Sequence, residues 1–227
     1  MIRARVWLGA SILLMRLAVL AAASAILPAS QAQAHPHVWA TIKTDLLYAA
    51  DGSVTGVRHA WTFDDMFSAF ATVGIKAKIK GQFTREELQP LAKVNVDSLK
   101  GFAYFTFATT DGVKDNGAFG DARDYWLDYD PKATVLTLHF TLPFKKPVKA
   151  KVLKIQVYDP EFFIDFAFAK KNPVKLVGAP PSCAVWTEKP DDPHFLSSQN
   201  LNKSFVASEA FVGMGAAFAN NILVQCP

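Results

Sequence analysis

The first 34 residues of this 227-residue chain contain no aspartate or glutamate. They carry Arg3, Arg5 and Arg16, then an apolar run from residue 17 to 27, and finally the small-x-small sequence Ala32-Gln33-Ala34. This order is typical of a cleaved secretory signal peptide. The apolar run is too short to span a bilayer, and no run of spanning length follows it. We therefore predict a signal peptide over residues 1–34, an exported mature chain that begins at His35, and no transmembrane segment in that chain.

The mature chain also lacks a strong charge of either sign. Removing the three leader arginines lowers the basic residues from 24 to 21, against 20 acidic residues, so the formal net charge falls from +4 to +1. The basic character of the precursor therefore comes largely from its leader and is no sign of a basic binding surface. We expect no nucleic-acid partner.

Cysteine is scarce, since the chain contains only Cys183 and Cys226. An even number in an exported chain favours a disulfide, and two thiols at this spacing match no zinc motif. Closing a loop of about 44 residues should contribute roughly 4 kcal/mol in the chain-entropy description. We therefore predict a structural Cys183–Cys226 disulfide that ties a last strand, near residues 221–225, to the body of the domain.

Familiar catalytic motifs are absent: the chain has no Gly-x-Ser-x-Gly elbow, no phosphate-binding loop and no dinucleotide fingerprint. Asp159 and Glu161 share a face, but Pro160 between them predicts an edge or turn with solvated carboxylates. His139 lies in an apolar strand and His194 in a proline-rich loop, and neither receives a role. No catalytic residue is assigned, and the chain is not expected to be an enzyme.

Most of what is present indicates strands. Alternating apolar and polar residues, aromatic and β-branched enrichment, and turn residues between segments predict short antiparallel strands in a sandwich-like arrangement. The predicted segments are 38–48, 54–63, 102–109, 124–129, 134–142, 151–158, 162–168 and 184–187. Residues 35–227 are expected to form one periplasmic domain of the α+β class, mainly antiparallel β, with a short C-terminal helix near residues 205–218.

Residues 64–99 interrupt the strands with a predicted helix–loop–helix insertion. Asp64 or Asp65 can cap the first helix, Thr84 and Glu87 form a capping box for the second, and Pro90 is expected to kink that second helix. Residues 76–87 match a calcium-binding EF-hand loop in length, with glycine at position six and glutamate at position twelve.

Lysines at residues 76, 78 and 80 occupy the loop positions where calcium needs oxygen ligands. We therefore expect an EF-hand-like hairpin that binds no calcium, with Glu86 and Glu87 paired to these lysines. A helical hairpin unrelated to EF-hands remains the alternative.

Three histidines are the candidate metal ligands. Cleavage after Ala34 would give His35 a free α-amine beside its ring, and His37 adds a second ring. His59 could approach them if the first two strands form a hairpin. Pro36 has no N–H, so successive deprotonated backbone amides cannot form a square-planar site through residue 36. Nitrogen ligands of this kind suit copper, nickel or zinc. The alternatives are an ordinary strand start at residues 35–37 and a hydrogen-bonded, half-buried His59.

Several aromatic-rich motifs carry a family resemblance across nearly the whole mature chain. They are HPHVW at 35–39, HAWTFDDMFS at 59–68, REEL at 85–88, DYWL at 124–127 and YDPEFF at 158–163. The chain resembles the bacterial periplasmic family DUF1007, described as an uncharacterised periplasmic component of ABC-type transport systems. Members often carry acidic residues where this chain has the three loop lysines. The resemblance implies an association with nickel or cobalt membrane transporters.

Three functional hypotheses follow. The first is a periplasmic accessory protein of a metal transport system that binds or delivers nickel, cobalt, copper or zinc through His35, His37 and His59, with a membrane transporter as partner. The second is an interaction module of an envelope or ABC-type transport complex that binds no metal. The third is a copper-dependent oxidase that uses the terminal histidine. Metal analysis of correctly processed protein separates the first two.

Overall fold

The computed structural model describes residues 36–188 and 214–227. Two α-helices lie within these ranges, α1 (Asp65–Ala71) and α2 (Arg85–Lys100), together with 3-10 turns at Ala103–Phe105 and Met214–Phe218. The strands of the described residues are β1 (Val38–Tyr48), β2 (Val54–Phe63), β3 (Thr106–Thr110), β4 (Val113–Asp115), β5 (Arg123–Asp130), β6 (Val135–Val148), β7 (Val152–Val157), β8 (Ile164–Phe168), β9 (Val174–Val177), β10 (Ala184–Glu188) and β11 (Asn220–Gln225).

The strands form two sheets that share one hydrophobic core. The first has the order β5-β6-β2-β1-β8, with β9 also paired to β1, and the second has the order β10-β11-β7-β3-β4. The 3-10 turn that leads into β3 of the second sheet packs on the first sheet, where Tyr104 contacts Phe140 and Phe105 contacts Phe166. The predicted α+β, sandwich-like class is confirmed.

Strands β1 and β2 form the predicted antiparallel hairpin, in which Ala40 pairs with Phe63 and Thr44 with His59. Alternate residues of β2 point inward, and Trp61 is completely buried. The alternation of the sequence therefore marks the buried face correctly, because strand side chains point to opposite faces in turn.

Both predicted helices are present with the expected caps. The Phe67 N–H donates to Asp64 Oδ1 at 2.8 Å at the start of α1, and Thr84 and Glu87 form a reciprocal capping box at the start of α2. Helix α2 continues through Pro90 and buries Leu88, Ala92 and Val96, which lie on one helical stripe.

Two segments differ from the sequence prediction. The strand expected from residue 102 begins only at Thr106, because Ala103, Tyr104 and Phe105 all adopt positive φ angles that no strand accommodates. Strand β8 pairs with β1 in parallel, with Val38 opposite Ile164, so this sheet is mixed.

The C-terminal strand lies in the second sheet, between β10 and β7. Cys183 and Cys226 form the predicted disulfide, which joins the residues flanking the β10–β11 pair. A C-terminal helix was expected near residues 205–218. Its part before residue 214 lies outside the described residues, and Met214–Phe218 form a 3-10 turn.

Candidate functional site

The start of β1 and its parallel partner β8 form an exposed rim. We use the name β1 rim for His37, Trp39, Phe163 and Asp165. Strand pairing sets Trp39 opposite Asp165, so the two share the outward face, while their neighbours Val38 and Ile164 belong to the other face. His37 is exposed, its ring centroid lies 4.8 Å from that of Phe163, and its N–H donates to the Phe163 carbonyl at 2.9 Å. The backbone at His37 is therefore fixed by the sheet, and its side chain is accessible.

Asp64 ties the β1 rim to helix α1. The Trp39 N–H donates to Asp64 Oδ2 at 2.9 Å, and the Asp64 N–H donates to the Trp39 carbonyl at 2.9 Å. The other carboxylate oxygen caps α1. One side chain thus joins the two aromatic motifs that begin at His35 and at His59.

Behind the rim, Asp159 closes the loop between β7 and β8. Its carboxylate accepts hydrogen bonds from the N–H groups of Glu161, Phe163 and Ile164 at 2.9, 3.0 and 3.0 Å. Asp159 is 5% exposed, so the expectation of a solvated carboxylate here is wrong. The reason is that three backbone amides of the loop replace the water that a buried carboxylate loses.

His59 is a core residue, and the expectation that it approaches His37 is wrong. It lies opposite Thr44, seven residues along β1 from His37, which corresponds to about 23 Å of extended strand. The Thr106 hydroxyl donates to the Tyr104 carbonyl, so His59 Nε2 donates to Thr106 Oγ1 at 3.3 Å. Nδ1 then accepts from the Thr44 hydroxyl at 2.9 Å.

Burial lowers the pKa of His59 to about 3, so the ring is neutral at physiological pH. It is 1% exposed and packs against Trp61 and Phe140. With both ring nitrogens engaged by hydroxyl groups, His59 is a structural histidine that joins the two sheets.

The loop before α2 is closed by Glu87. One carboxylate oxygen accepts from the Lys78 N–H at 2.8 Å and the other from the Thr84 N–H at 2.9 Å. These two backbone hydrogen bonds lower the pKa of Glu87. The expected ion pairs of Glu86 and Glu87 with the lysines are absent, since no carboxylate within the described residues lies within 4 Å of those ammonium groups. The charge of Lys78 nevertheless contributes to lowering the pKa of both glutamates.

A cluster around Asp128 on β5 was not foreseen. Arg85 Nε donates to Asp128 Oδ1 at 2.6 Å, and Trp126 Nε1 donates to Oδ2 at 3.1 Å. His139 Nε2 lies 3.1 Å from the same Oδ2, and its ring stacks on Trp126 at 4.6 Å. Hydrogen bonds from Arg85 and Trp126 hold the pKa of Asp128 below its usual value despite burial, and burial lowers that of His139. Because Arg85 is the first residue of α2 and Asp128 lies on β5, the cluster anchors the start of α2 to the sheet.

One feature of the sequence pointed to this cluster, the spacing of two between Trp126 and Asp128, which places both on one face of a strand. The other members, Arg85 and His139, come from elements distant in the chain. Asp165 was also missed, because only the parallel pairing of β8 with β1 brings it to the rim.

Across 36–188 and 214–227, no group of three or more His, Cys, Asp or Glu side chains is arranged to hold a metal. His35 and His194 lie outside the described residues. Nor does any helix in those ranges have the length and apolarity needed to cross a membrane.

Comparison with known proteins gives a family and a relative. The chain is 24% identical over 198 residues to an uncharacterized protein of Haemophilus influenzae, and the match covers 85% of this chain and 91% of the relative. The model of the family described as "Protein of unknown function (DUF1007)" matches residues 20–226. Since that match spans nearly the whole chain, the protein belongs to the DUF1007 family.

Proposed function

We propose that this protein is a periplasmic metal-binding accessory protein of a membrane metal transporter. The observation that carries the proposal is the exposure of His37 on a backbone held by β1–β8 pairing, two residues after the expected new N-terminus. A terminus created at His35 would bring an α-amine and a second imidazole close to the His37 ring. Nickel, cobalt, copper and zinc all accept imidazole nitrogen ligands.

The ligand set of the proposal is smaller than the sequence suggested. His59 is withdrawn from it, because both of its ring nitrogens are hydrogen-bonded in the core. Asp165 takes its place as the group that orients a ligating imidazole or completes the site, since it shares the outward face of the β1 rim. Carboxylates commonly act in this way beside metal-bound histidines.

The test is a calorimetric titration of nickel, copper and zinc into protein whose N-terminus is His35. The same protein carrying one additional N-terminal alanine should bind at least tenfold more weakly, because its α-amine no longer belongs to a histidine that chelates through its ring. His37→Gln should cause a similar loss. His139→Gln, which alters a half-buried histidine on β6 away from the β1 rim, should leave the affinity unchanged.

Equal affinity of the native and alanine-extended proteins would exclude chelation by the terminal amine. The absence of binding in every form would exclude the metal function. The interaction module that binds no metal, suggested by the sequence, would then be the better explanation.

A further inference from the structure

Helix α1 has an unusual outward face. Its inward side places Phe67 and Ala71 against the core and buries Ser68. A helix on the surface of a globular domain normally presents polar residues on the opposite side. Here the opposite side presents Met66, Phe70 and Val73, which are 72%, 79% and 78% exposed.

These three residues form one stripe. They are spaced four and three residues apart, and the Val73 N–H donates to the Phe70 carbonyl, so the helical turn continues beyond Ala71. We call Met66, Phe70 and Val73 the α1 stripe. Large exposed apolar surface of this kind marks a site of association rather than ordinary solvent exposure.

A basic loop follows the stripe directly. Lysines at residues 76, 78 and 80 alternate with Ala77 and Ile79, and Ile79 is 60% exposed. We call residues 76–80 the lysine loop. No aspartate or glutamate occurs between residues 66 and 84, and the three ammonium groups form no ion pair with any described residue.

The lysine loop is held in a defined shape. Glu87 binds the backbone N–H of Lys78, and the Gln82 N–H donates to the Ile79 carbonyl at 3.0 Å. The Glu87 carboxylate is therefore engaged with the backbone, and its attraction and that of Glu86 to Lys78 act without a close ion pair. The exposed ammonium groups remain accessible to an external anion.

We propose that the α1 stripe and the lysine loop together bind the surface of an anionic phospholipid membrane. Apolar side chains beside lysines are the combination that interfacial segments use, with the apolar groups in the headgroup boundary and the cations at lipid phosphates. Charge complementarity selects anionic over neutral lipid. The proposal does not depend on metal binding, because none of its residues belongs to the β1 rim.

The test is co-sedimentation with vesicles, using the chain from His35 onward, since the apolar leader would bind vesicles by itself. Residues 35–227 form their own compact unit. The protein should bind vesicles containing phosphatidylglycerol and should not bind pure phosphatidylcholine vesicles. Binding should weaken as salt is raised, because salt screens the attraction between the lysines and the lipid phosphates.

Two variants separate the contributions. Replacing the three loop lysines by glutamine should weaken binding on the order of a hundredfold, at about fivefold for each lysine. Met66→Ser with Phe70→Ser should weaken it at least tenfold. The matched control replaces Lys132, Lys145 and Lys146, which are exposed lysines elsewhere, by glutamine and should change binding less than threefold. Unfolding midpoints of all variants verify that they fold.

Three results would overturn the proposal: no binding to anionic vesicles at low salt, unaltered binding by the loop variant, or an equal loss in the matched control. Binding to whole membranes but not to vesicles of their extracted lipids would show that the partner is a protein, which also overturns it.

Discussion

Two loops of this protein are closed by a carboxylate that accepts hydrogen bonds from backbone amides, and they differ mainly in depth. Asp159 is buried and binds three amides between β7 and β8. Glu87 lies at the surface and binds two amides before α2. The same arrangement of a carboxylate and backbone amides therefore closes a buried loop at Asp159 and an exposed loop at Glu87.

The difference in depth separates the roles of the two loops. An unsatisfied amide in the interior has no water to replace its lost acceptor, whereas an amide at the surface does. We therefore expect the Asp159 loop to affect stability strongly. The Glu87 loop can lose its closure at a small cost, and its exposed lysines are available for binding.

The Asp159 loop is also closed by packing. A Cβ at Gly215 would collide with the Asp159 carbonyl oxygen, so the turn before β11 approaches this loop more closely than a larger residue permits. The disulfide lies at the other end of β11, where Gln225 pairs with Val152, and it joins the residue after β11 to the residue before β10. The Glu87 loop is tied to β5 by partly exposed contacts instead: Phe83 packs edge-to-face on Tyr129, and Arg85 pairs with Asp128.

The largest predicted effect is that of the disulfide. Cys183→Ala with Cys226→Ala should lower the free energy of unfolding by about 4 kcal/mol, because the unfolded chain regains the freedom of the closed loop. Urea denaturation of the oxidised protein and the variant measures this difference. Metal affinity should not change selectively, since the β1 rim contains neither cysteine. Thiol reagents that label native, unreduced protein would contradict the pairing.

Asp159→Ala should lower the free energy of unfolding by about 3 kcal/mol, since three amides bound to a buried carboxylate lose their acceptor. Urea denaturation at pH 7 provides the measurement. Glu161→Ala is the matched control, because this exposed carboxylate lies two residues away, and it should leave the midpoint unchanged. Equal effects of the two variants would remove the contrast between buried and exposed closure.

The buried His59 predicts that stability falls with acidification. Its pKa is about 3 in the folded protein and near 6.5 in the unfolded chain, so between these values the unfolded state binds the additional proton. The stability is complete above pH 6.5 and declines below it. By pH 5 the loss should reach about 2 kcal/mol at the limiting slope for one proton.

Denaturation at pH 7 and pH 5 measures this loss, and His139→Gln is the control. His139 is only partly buried, so its removal should leave most of the pH dependence in place. Equal stability at the two pH values, or a loss that disappears in His139→Gln, would be inconsistent with a neutral core His59.

Local patterns predicted the elements that depend on neighbouring residues. Alternation located the β1–β2 hairpin, and the Thr84-x-x-Glu87 spacing located the start of α2. The parallel pairing of β8 with β1 could not be read in the same way, because its partners are far apart in the chain. The burial of Asp159 depends on that pairing and on the left-handed conformation of Phe162, at a φ of 55°. The candidate site shows the same division: His37 was identified from its position in the chain, whereas Asp165 was not.

The smallest predicted effect concerns the exposed closure. Thr84→Ala should lower the free energy of unfolding by about 1 kcal/mol, the usual value of a side-chain cap at a helix start. Glu87→Gln should have a smaller effect than Asp159→Ala, since water can reach the amides that it releases. Urea denaturation ranks the three variants on one scale.

Millimolar calcium should not raise the melting temperature, because the lysines at residues 76, 78 and 80 repel a cation. Replacing them by Asp, Asn and Asp should create calcium-dependent stabilisation only if Glu87 can leave its two amides to bind the ion. If calcium does not change the melting temperature of this variant, Glu87 keeps its hydrogen bonds to the backbone amides of the loop instead of binding the ion.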